Sequence, residues 1–385
     1  MMKQRIITSV IALSLLATMS AWGQTQVIRR KSQSAKAVVR HSVDTKSKPV
    51  LFTWQGMEFY ILNDKEVALS GWVDVKPEGH VTIPSVVKNG DKEMTVTELW
   101  QCFKNCDKLE TIDIPKTIKR ISYDAFKGCK MLNNVIIPQG VRGIGDGAFA
   151  GNHKLSSVVL QEGIVAIGSH AFHDCKSLQS VSLPSGIKKI EEHAFDSCSG
   201  LMEINLPHGL TSIGNYAFDH CTNLWEITIP GSITEFGEYI FQGCEKLSKV
   251  TILDGVKSIG NHMFSGCSDL REVVLPSSVI TIEDDAFYFC WMMELINLPK
   301  NLKSIGKGAF NTCGWLRSIT IPDSVTDLGS HAFYDCGALT SVSIPSSLVD
   351  KIKEKTFYKC DKLRYVTVRH PDGKEEQVSI KDEWR

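Results

Sequence analysis

The chain has 385 residues, of which 43% are hydrophobic, and its 43 Lys and Arg residues balance its 43 Asp and Glu residues. A neutral chain lacks the positive charge that draws proteins to nucleic acid, so the composition indicates no nucleic-acid partner. The length would suit two ordinary domains, but an internal repeat can override that expectation.

The first 23 residues have the features of a secretory signal peptide. Lys3 and Arg5 provide a basic start, residues 6–19 are mostly apolar, and residues 21–23 resemble a cleavage site. The apolar run is short for a membrane span, and no later stretch is apolar enough to cross a bilayer. The first cysteine is Cys102, far from the cleavage point, which argues against a lipid anchor. We therefore predict export, with an uncleaved anchor as the alternative.

Residues 24–50 form a basic segment in which seven Lys or Arg residues oppose only Asp44. Low hydrophobicity combined with one sign of charge cannot support a core. We predict a flexible linker, and attachment to an acidic surface or polymer is the alternative.

Residues 51–98 are predicted to cap the N-terminal end of the fold. Residues 51–54 and 59–62 are typical of a hairpin, and Trp72 stands where later segments have Phe. About eight extra residues, around 87–95, are predicted to form a loop with a turn at residues 89–91. The exposed end of a stack of repeats requires such a cap.

From Phe103 onward the chain repeats. A Phe recurs every 23 residues, and the last follows after 24. A fixed period in this range indicates a solenoid, in which each short coil stacks on the next. The column consists of Phe103, Phe126, Phe149, Phe172, Phe195, Phe218, Phe241, Phe264, Phe287, Phe310, Phe333 and Phe357.

Each repeat contains one alternating apolar segment that predicts a short strand with one buried face. Pro usually follows and ends the strand, because it has no N–H group to donate. A Gly nineteen residues after the Phe, such as Gly214, is predicted to adopt a positive φ. The Ala-Phe-x-x-Cys piece is predicted to form one helical or 3₁₀ turn.

These elements predict an α/β solenoid of about 12 coils over residues 99–363, with short parallel strands on one face. Residues 364–385 contain a second hairpin pattern around the turn at residues 370–373 and are predicted to form the C-terminal cap.

The repeat resembles the BspA-like, treponemal-type leucine-rich repeats of bacterial surface proteins. The resemblance covers about residues 72–368 and rests on whole blocks such as residues 210–218 and 339–345. It implies a right-handed solenoid with strands on one face. It also implies export, and binding to host proteins or other cells rather than catalysis.

Eleven cysteines form a column three residues after the Phe, and Cys102 stands outside it. Stacked parallel positions hold neighbouring Cβ atoms too far apart for disulfides. Cysteine is also among the residue types most often buried. We predict free buried thiols, and leave a Cys102–Cys106 pair open.

His170, His193, His262 and His331 share the position two residues before the Phe, where Tyr216 and Tyr239 also occur. Two stacked imidazoles could hold a transition metal. The tyrosines favour a half-exposed stacking position instead, so we predict no metal and no cofactor.

No catalytic motif is present, and a solenoid offers a broad surface rather than a deep pocket. We predict that the protein is not an enzyme, and a surface hydrolase is the alternative. The outward strand positions provide one candidate binding site, in which Glu203, Glu226 and Glu272 form an acidic patch interrupted by Lys249. An ordinary solvated face would have the same pattern.

A second candidate site is aromatic, because exposed Trp and Met clusters are enriched at protein interfaces. These side chains could instead fold over a coil edge and cover the core. The candidate residues are Trp225, Phe289, Trp291, Met292 and Trp315.

The resemblance and these surfaces predict a monomeric, exported cell-surface or secreted recognition protein. Its expected partner is a protein of the host matrix or of a neighbouring cell. A glycan-binding module that uses the exposed Trp side chains and a periplasmic scaffold are the alternatives.

Overall fold

The computed structural model describes residues 50–384. The predicted signal peptide and nearly all of the predicted basic linker lie outside these residues. The described part contains 28 strands and two short 3₁₀ helices, Ser346–Lys351 and Asp382–Trp384.

The N-terminal part begins with an antiparallel meander of three strands, in which the first two turn at Gln55 and Gly56. An antiparallel hairpin follows. The second strand of this hairpin pairs in parallel with the third strand of the meander. The strands are β1 (Leu51–Trp54), β2 (Met57–Ile61), β3 (Glu66–Trp72), β4 (Gly79–Thr82), β5 (Val86–Asn89) and β6 (Lys92–Leu99).

The loop predicted around residues 87–95 is therefore wrong, because these residues form most of the β5–β6 hairpin. The turn at residues 89–91 is present within it. Val87, Met94 and Val96 are buried, and this apolar contact holds the inserted residues against the core.

Every regular coil except that of Phe287 contributes to a first row of parallel strands, here called the long-strand ladder. It continues from β4, and its hydrogen bonding is interrupted after β15 and after β21. Its members are β7 (Leu109–Asp113), β9 (Asn134–Ile137), β11 (Ser157–Leu160), β13 (Ser180–Ser182), β15 (Glu203–Ile204), β17 (Glu226–Ile229), β19 (Lys249–Ile252), β21 (Glu272–Val274), β24 (Ser318–Thr320), β26 (Ser341–Pro345) and β27 (Tyr365–Arg369).

A second row of two-residue strands, the short-strand ladder, continues from β6, and its hydrogen bonding is interrupted after β18. It consists of β8 (Arg120–Ile121), β10 (Gly143–Ile144), β12 (Ala166–Ile167), β14 (Lys189–Ile190), β16 (Ser212–Ile213), β18 (Glu235–Phe236), β20 (Ser258–Ile259), β22 (Thr281–Ile282), β23 (Ser304–Ile305) and β25 (Asp327–Leu328). The solenoid is confirmed, but its strands occupy two rows per coil rather than one.

Residues 50–384 contain no α-helix. The predicted 3₁₀ turn is present as single i→i+3 hydrogen bonds, such as that from the Cys175 N–H to the Phe172 carbonyl at 3.2 Å. Two residues in the left-handed region flank each Phe turn, as His170 (φ 55°) and Asp174 (φ 60°) flank Phe172. The Phe172 N–H donates to the Ala194 carbonyl of the next coil at 2.8 Å. Because the Phe172 amide bonds to the neighbouring coil, it does not extend this turn into a longer helix.

The glycines nineteen residues after the Phe serve a different purpose from the one predicted. Gly214 does not have a positive φ, whereas Tyr216, two residues later, has φ 55°. A Cβ atom at Gly214 would lie 2.5 Å from the backbone nitrogen of Glu192. Close approach of successive coils therefore excludes a side chain at this position.

The core is a continuous stack of phenylalanines. Ring centroids of successive residues from Phe103 to Phe357 lie 4.9–5.7 Å apart, with interplanar angles of 2–12°. Trp72 meets the first ring at 5.6 Å. At the other end the Trp384 carbonyl accepts the Phe357 N–H at 2.8 Å. Trp384 is buried and supplies the contact that a further coil would make.

All twelve cysteines are free and buried. In ten of them the Sγ atom donates to the carbonyl oxygen of the Phe in the preceding coil, at 3.0–3.3 Å. The thiol column thus links adjacent coils by hydrogen bonds.

The chain ends in an antiparallel hairpin of β27 with β28 (Glu375–Ser379). The assignment of residues 51–98 and 364–385 as caps stays a prediction.

Candidate binding site

The acidic patch lies at the start of successive long strands. Glu226, Lys249 and Glu272 occupy the same register position in β17, β19 and β21. The Lys249 Nζ atom lies 3.4 Å from a carboxylate oxygen of Glu272. Glu203 occupies the corresponding position in β15, across the first interruption of the ladder. The patch therefore contains one paired carboxylate and two exposed carboxylates without an ion pair among the described residues, Glu203 and Glu226.

Trp225 precedes this row and is 48% exposed. Its backbone N–H donates to the carbonyl of Met202 in the preceding coil at 3.3 Å, and Met202 is 45% exposed. An indole ring and a thioether therefore lie on adjacent coils beside Glu226. Exposed apolar side chains surrounded by polar groups are typical of interaction sites.

Trp291 and Trp315 lie on neighbouring coils of the same edge and are 42% and 40% exposed. The Trp315 N–H donates to the Trp291 carbonyl at 3.0 Å. The Trp291 ring lies against Gly314, where an added Cβ atom would be 2.7 Å from the indole. Gly314 thus makes room for the ring. Trp291 therefore covers a coil edge and also presents indole surface to solvent, and its role in binding stays a prediction.

Phe289 and Met292 complete this cluster. Phe289 is half-buried, has φ 58°, and its ring centroid lies 6.2 Å from that of Trp291. An Arg271 guanidinium nitrogen lies 3.0 Å from the Met292 sulfur. The long-strand ladder is interrupted here, between β21 and β24. Trp225 lies three coils before Trp291, so the aromatic candidates form two separate groups.

The rings two residues before the Phe form a column of their own. His170, His193, Tyr216, Tyr239 and His262 stack with centroid separations of 4.3–4.8 Å. The stacking matches the half-exposed position that the tyrosines indicated. Residues 50–384 contain no group of three or more side chains placed to hold a metal ion.

The Asp196 carboxylate contacts two nearby imidazoles. His193 Nδ1 and His173 Nδ1 lie 2.8 and 3.3 Å from its Oδ2 atom, and the Ser197 hydroxyl donates to Oδ1 at 2.8 Å. Burial acts to raise the pKa of Asp196, but the contacts with His173, Ser197 and His193 outweigh burial and lower the pKa to about 2. The interaction with Asp196 raises the pKa of His173.

The cysteine column is poorly suited to nucleophilic chemistry. Burial raises the pKa of Cys106 to about 11, and burial raises the pKa of Cys221 and Cys244 further. Because the thiolate is the reactive form, these groups are inert at neutral pH.

One surface feature was not predicted from the sequence. A cleft of about 760 Å³ lies between the N-terminal meander and the first coils, and Lys65, Lys116, Lys119 and Arg142 line it. Lys119 and Arg142 each stand sixteen residues after a Phe in consecutive coils, which is the signal that could have indicated a basic patch. The contribution of Lys65 depends on the stacking of the meander.

The chain belongs to the BspA type leucine rich repeat family, whose profile matches six copies within residues 100–207, 165–293 and 281–371. The pneumococcal vaccine antigen PcpA has 21% sequence identity and a TM-score of 0.53, with 83% of this chain and 94% of that chain covered. That likeness shows the fold.

Two further solved structures are similar to the chain. A leucine-rich repeat protein from Bacteroides ovatus has 26% identity, covers 83% of this chain and 99% of its own, and has a TM-score of 0.42. A leucine rich cell surface protein from Faecalibacterium prausnitzii has 24% identity, covers 84% and 96%, and has a TM-score of 0.48. No protein with a curated description matches the chain.

Family membership suggests a role in protein interaction at the cell surface, since leucine-rich repeat proteins generally bind proteins. Surface proteins of this family are generally not enzymes. Within residues 50–384, no helix is long and apolar enough to cross a bilayer.

Proposed function

We propose that this chain is an exported, adhesin-like recognition protein that binds a protein of the host matrix or of a neighbouring cell along the N-terminal edge of its long-strand ladder. Residues 1–23 would direct export, and residues 24–50 would tether the solenoid. The main support is the exposure of Trp225, Trp291 and Trp315, each 40–48% accessible, along one edge. Partly exposed Trp residues are over-represented among the residues that dominate binding energy.

The charge around these rings restricts the partner. Residues 201–317, which include the three tryptophans, contain eight Lys or Arg and thirteen Asp or Glu. A partner that inserts apolar side chains between the indoles and surrounds them with Lys or Arg would complement both features.

The test is capture of a panel of purified extracellular matrix glycoproteins by the mature chain, residues 24–385, immobilised on a sensor surface. We expect the Trp291→Ala, Trp315→Ala variant to lose at least tenfold in affinity for the captured protein. The matched control is Tyr123→Ala, which removes an aromatic side chain that is 60% exposed on an early coil.

Equal affinity of the double Trp variant and the Tyr123→Ala control would refute the site. A glycan array addresses the alternative ligand class, since a Trp-dependent signal for neutral glycans without protein capture would favour the glycan-binding module. Protease accessibility on intact cells separates surface display from a periplasmic scaffold.

A further inference from the structure

The cationic cleft near the N-terminus is formed by three layers of backbone. The Thr95 N–H donates to the Lys65 carbonyl at 2.8 Å, which fixes the turn of the meander over β6. The Lys119 N–H donates to the Thr97 carbonyl at 2.8 Å, and the Arg142 N–H donates to the Lys119 carbonyl at 3.4 Å. The cleft residues are therefore held at successive levels of the stack.

Most of the positive charge in this cleft is unpaired. Lys119 forms an ion pair with Glu66, and the Asn63 amide also donates to Glu66, at 2.9 Å. The hydrogen bond from Lys119 lowers the pKa of Glu66, which keeps the pair charged. The side chains of Lys65, Lys116 and Arg142 are exposed, and none of them forms an ion pair within the described part of the chain.

The surrounding protein makes this concentration of charge unusual. Residues 51–384 contain 33 Lys or Arg and 42 Asp or Glu, so the solenoid as a whole is acidic. A cluster of unpaired cations on an acidic protein produces a local positive potential that attracts anionic groups. Salt screens that attraction when the ligand is solvent-exposed.

The remaining lining identifies the class of anion. The cleft presents Thr95, Thr97 and Thr117 together with Asn63, and no aromatic side chain. Hydroxyl and amide groups can exchange hydrogen bonds with sugar hydroxyls, and an Arg guanidinium can bind a sulfate or carboxylate group through two N–H donors. The absence of aromatic side chains from the lining disfavours single-stranded nucleic acid, whose bases stack on such rings.

A peptide ligand is also disfavoured by the geometry. In this region β6, β8 and β10 are paired in one uninterrupted ladder, so there is no free strand edge for an extended peptide to join. We propose that this cleft binds an acidic polysaccharide through its sulfate or carboxylate groups. The site is separate from the tryptophan edge and does not depend on the function proposed for it.

The experiment measures binding of a size-defined heparin dodecasaccharide to the mature chain, residues 24–385, by calorimetry at two salt concentrations. We expect binding that weakens as salt rises, and an affinity at least tenfold lower for the Lys116→Gln, Arg142→Gln variant. The matched control is Lys257→Gln, Lys303→Gln, because both residues stand sixteen positions after a Phe but lie outside the cleft. That control should bind like the wild type.

The basic segment before the solenoid requires its own comparison. An Arg29→Gln, Arg30→Gln, Lys31→Gln variant removes charge from that segment and leaves the cleft intact. The cleft proposal predicts that this variant keeps most of the affinity.

Four results would overturn the proposal. They are no binding by the wild type, an equal loss in the Lys257 and Lys303 control, a loss confined to the variant of residues 29–31, or equally tight binding of polyglutamate of matched charge. Thermal unfolding midpoints that agree within a few degrees among the variants establish that the losses are local to binding.

Discussion

Phe218 and Glu226 lie eight residues apart in one coil, and they show how differently the inside and the outside of this solenoid are constrained. Phe218 is fully buried, and its ring contacts the Phe rings of both neighbouring coils. Glu226 faces solvent beside Lys249, and its counterparts in other coils include Ser, Leu and Thr. Identical inner contacts make the coils stack, whereas the outer face is free to vary and can specialise.

Of the variants that test this difference, Phe218→Ala should have the largest effect. Removing a buried ring from the middle of the stack leaves a cavity and should lower the free energy of unfolding by about 3–5 kcal/mol. Urea denaturation followed by circular dichroism measures the loss. Glu226→Gln in the same coil is the matched outer variant, and surface changes of this kind stay within about 0.5 kcal/mol. Similar shifts for the two variants would contradict the inner position of Phe218.

Asp196 lies between the inside and the outside of the solenoid. It is buried, yet it contacts His173 and His193 near the surface. Asp196→Asn should cost about 1.5–3 kcal/mol, the range for hydrogen bonds to charged groups. The cost should depend on pH, since the pKa of Asp196 is lowered and the pKa of His173 is raised.

The sign of that dependence follows from the two shifts. The lowered pKa of Asp196, about 2 against 3.8, means that its contribution is present above pH 3.8 and is lost as the pH falls towards 2. The raised pKa of His173 means that its contribution is present below 6.5 and is lost as the pH rises through the folded-state pKa. The difference between wild type and Asp196→Asn should therefore be largest between about pH 4 and 6.5.

Urea midpoints measured from pH 2 to pH 9 check this profile. Asp254→Asn removes an exposed carboxylate that forms no ion pair in the described part of the chain, and its effect should be small throughout. A difference between wild type and Asp196→Asn that does not change with pH would count against the two ion pairs.

The smallest effect concerns Asn152, the one side chain that breaks the cysteine column. Its Oδ1 atom accepts the Cys129 N–H at 2.8 Å, but its buried Nδ2 atom has no hydrogen-bond partner. Asn152→Cys removes this unsatisfied amide and restores the thiol of the other coils. We expect stabilisation of about 1 kcal/mol, measured by urea denaturation under reducing conditions.

The reverse exchange, Cys198→Asn, places an amide in a regular coil and should destabilise it. Destabilisation by Asn152→Cys would contradict this prediction. It would show that the Asn152 Nδ2 group has a hydrogen-bond partner in solution and stabilises its coil.

The sequence predicted the features that repeat at long intervals. The Phe period identified the solenoid, the alternation before each Pro located most of the long strands, and the spacing of the cysteines indicated free thiols. Each of these signals recurs about twelve times, so that exceptions such as Asn152 do not obscure it.

The short-strand ladder was missed because a two-residue strand such as Ser212–Ile213 is too short to show alternation. It forms because the neighbouring coils offer parallel partners on both sides. The role of Gly214 was misread for a related reason, since the approach of the Glu192 backbone is visible only once the coils are stacked.

The candidate sites also combine features that the sequence indicated with features that only the structure shows. The exposed Trp residues could be named from their places in the repeat, but only the coordinates show that Gly314 accommodates the Trp291 ring. The cationic cleft combines Lys65, Lys116 and Arg142, which lie far apart in sequence.

The amino-acid sequence alone determined the period, the inner columns and the family of this protein, because those properties repeat within the coil itself. The tertiary structure alone decided the second row of strands, the contact of Trp384 with the last coil and the convergence of the basic side chains. These features depend on contacts between coils and with the terminal segments, and such contacts exist only after the chain has stacked.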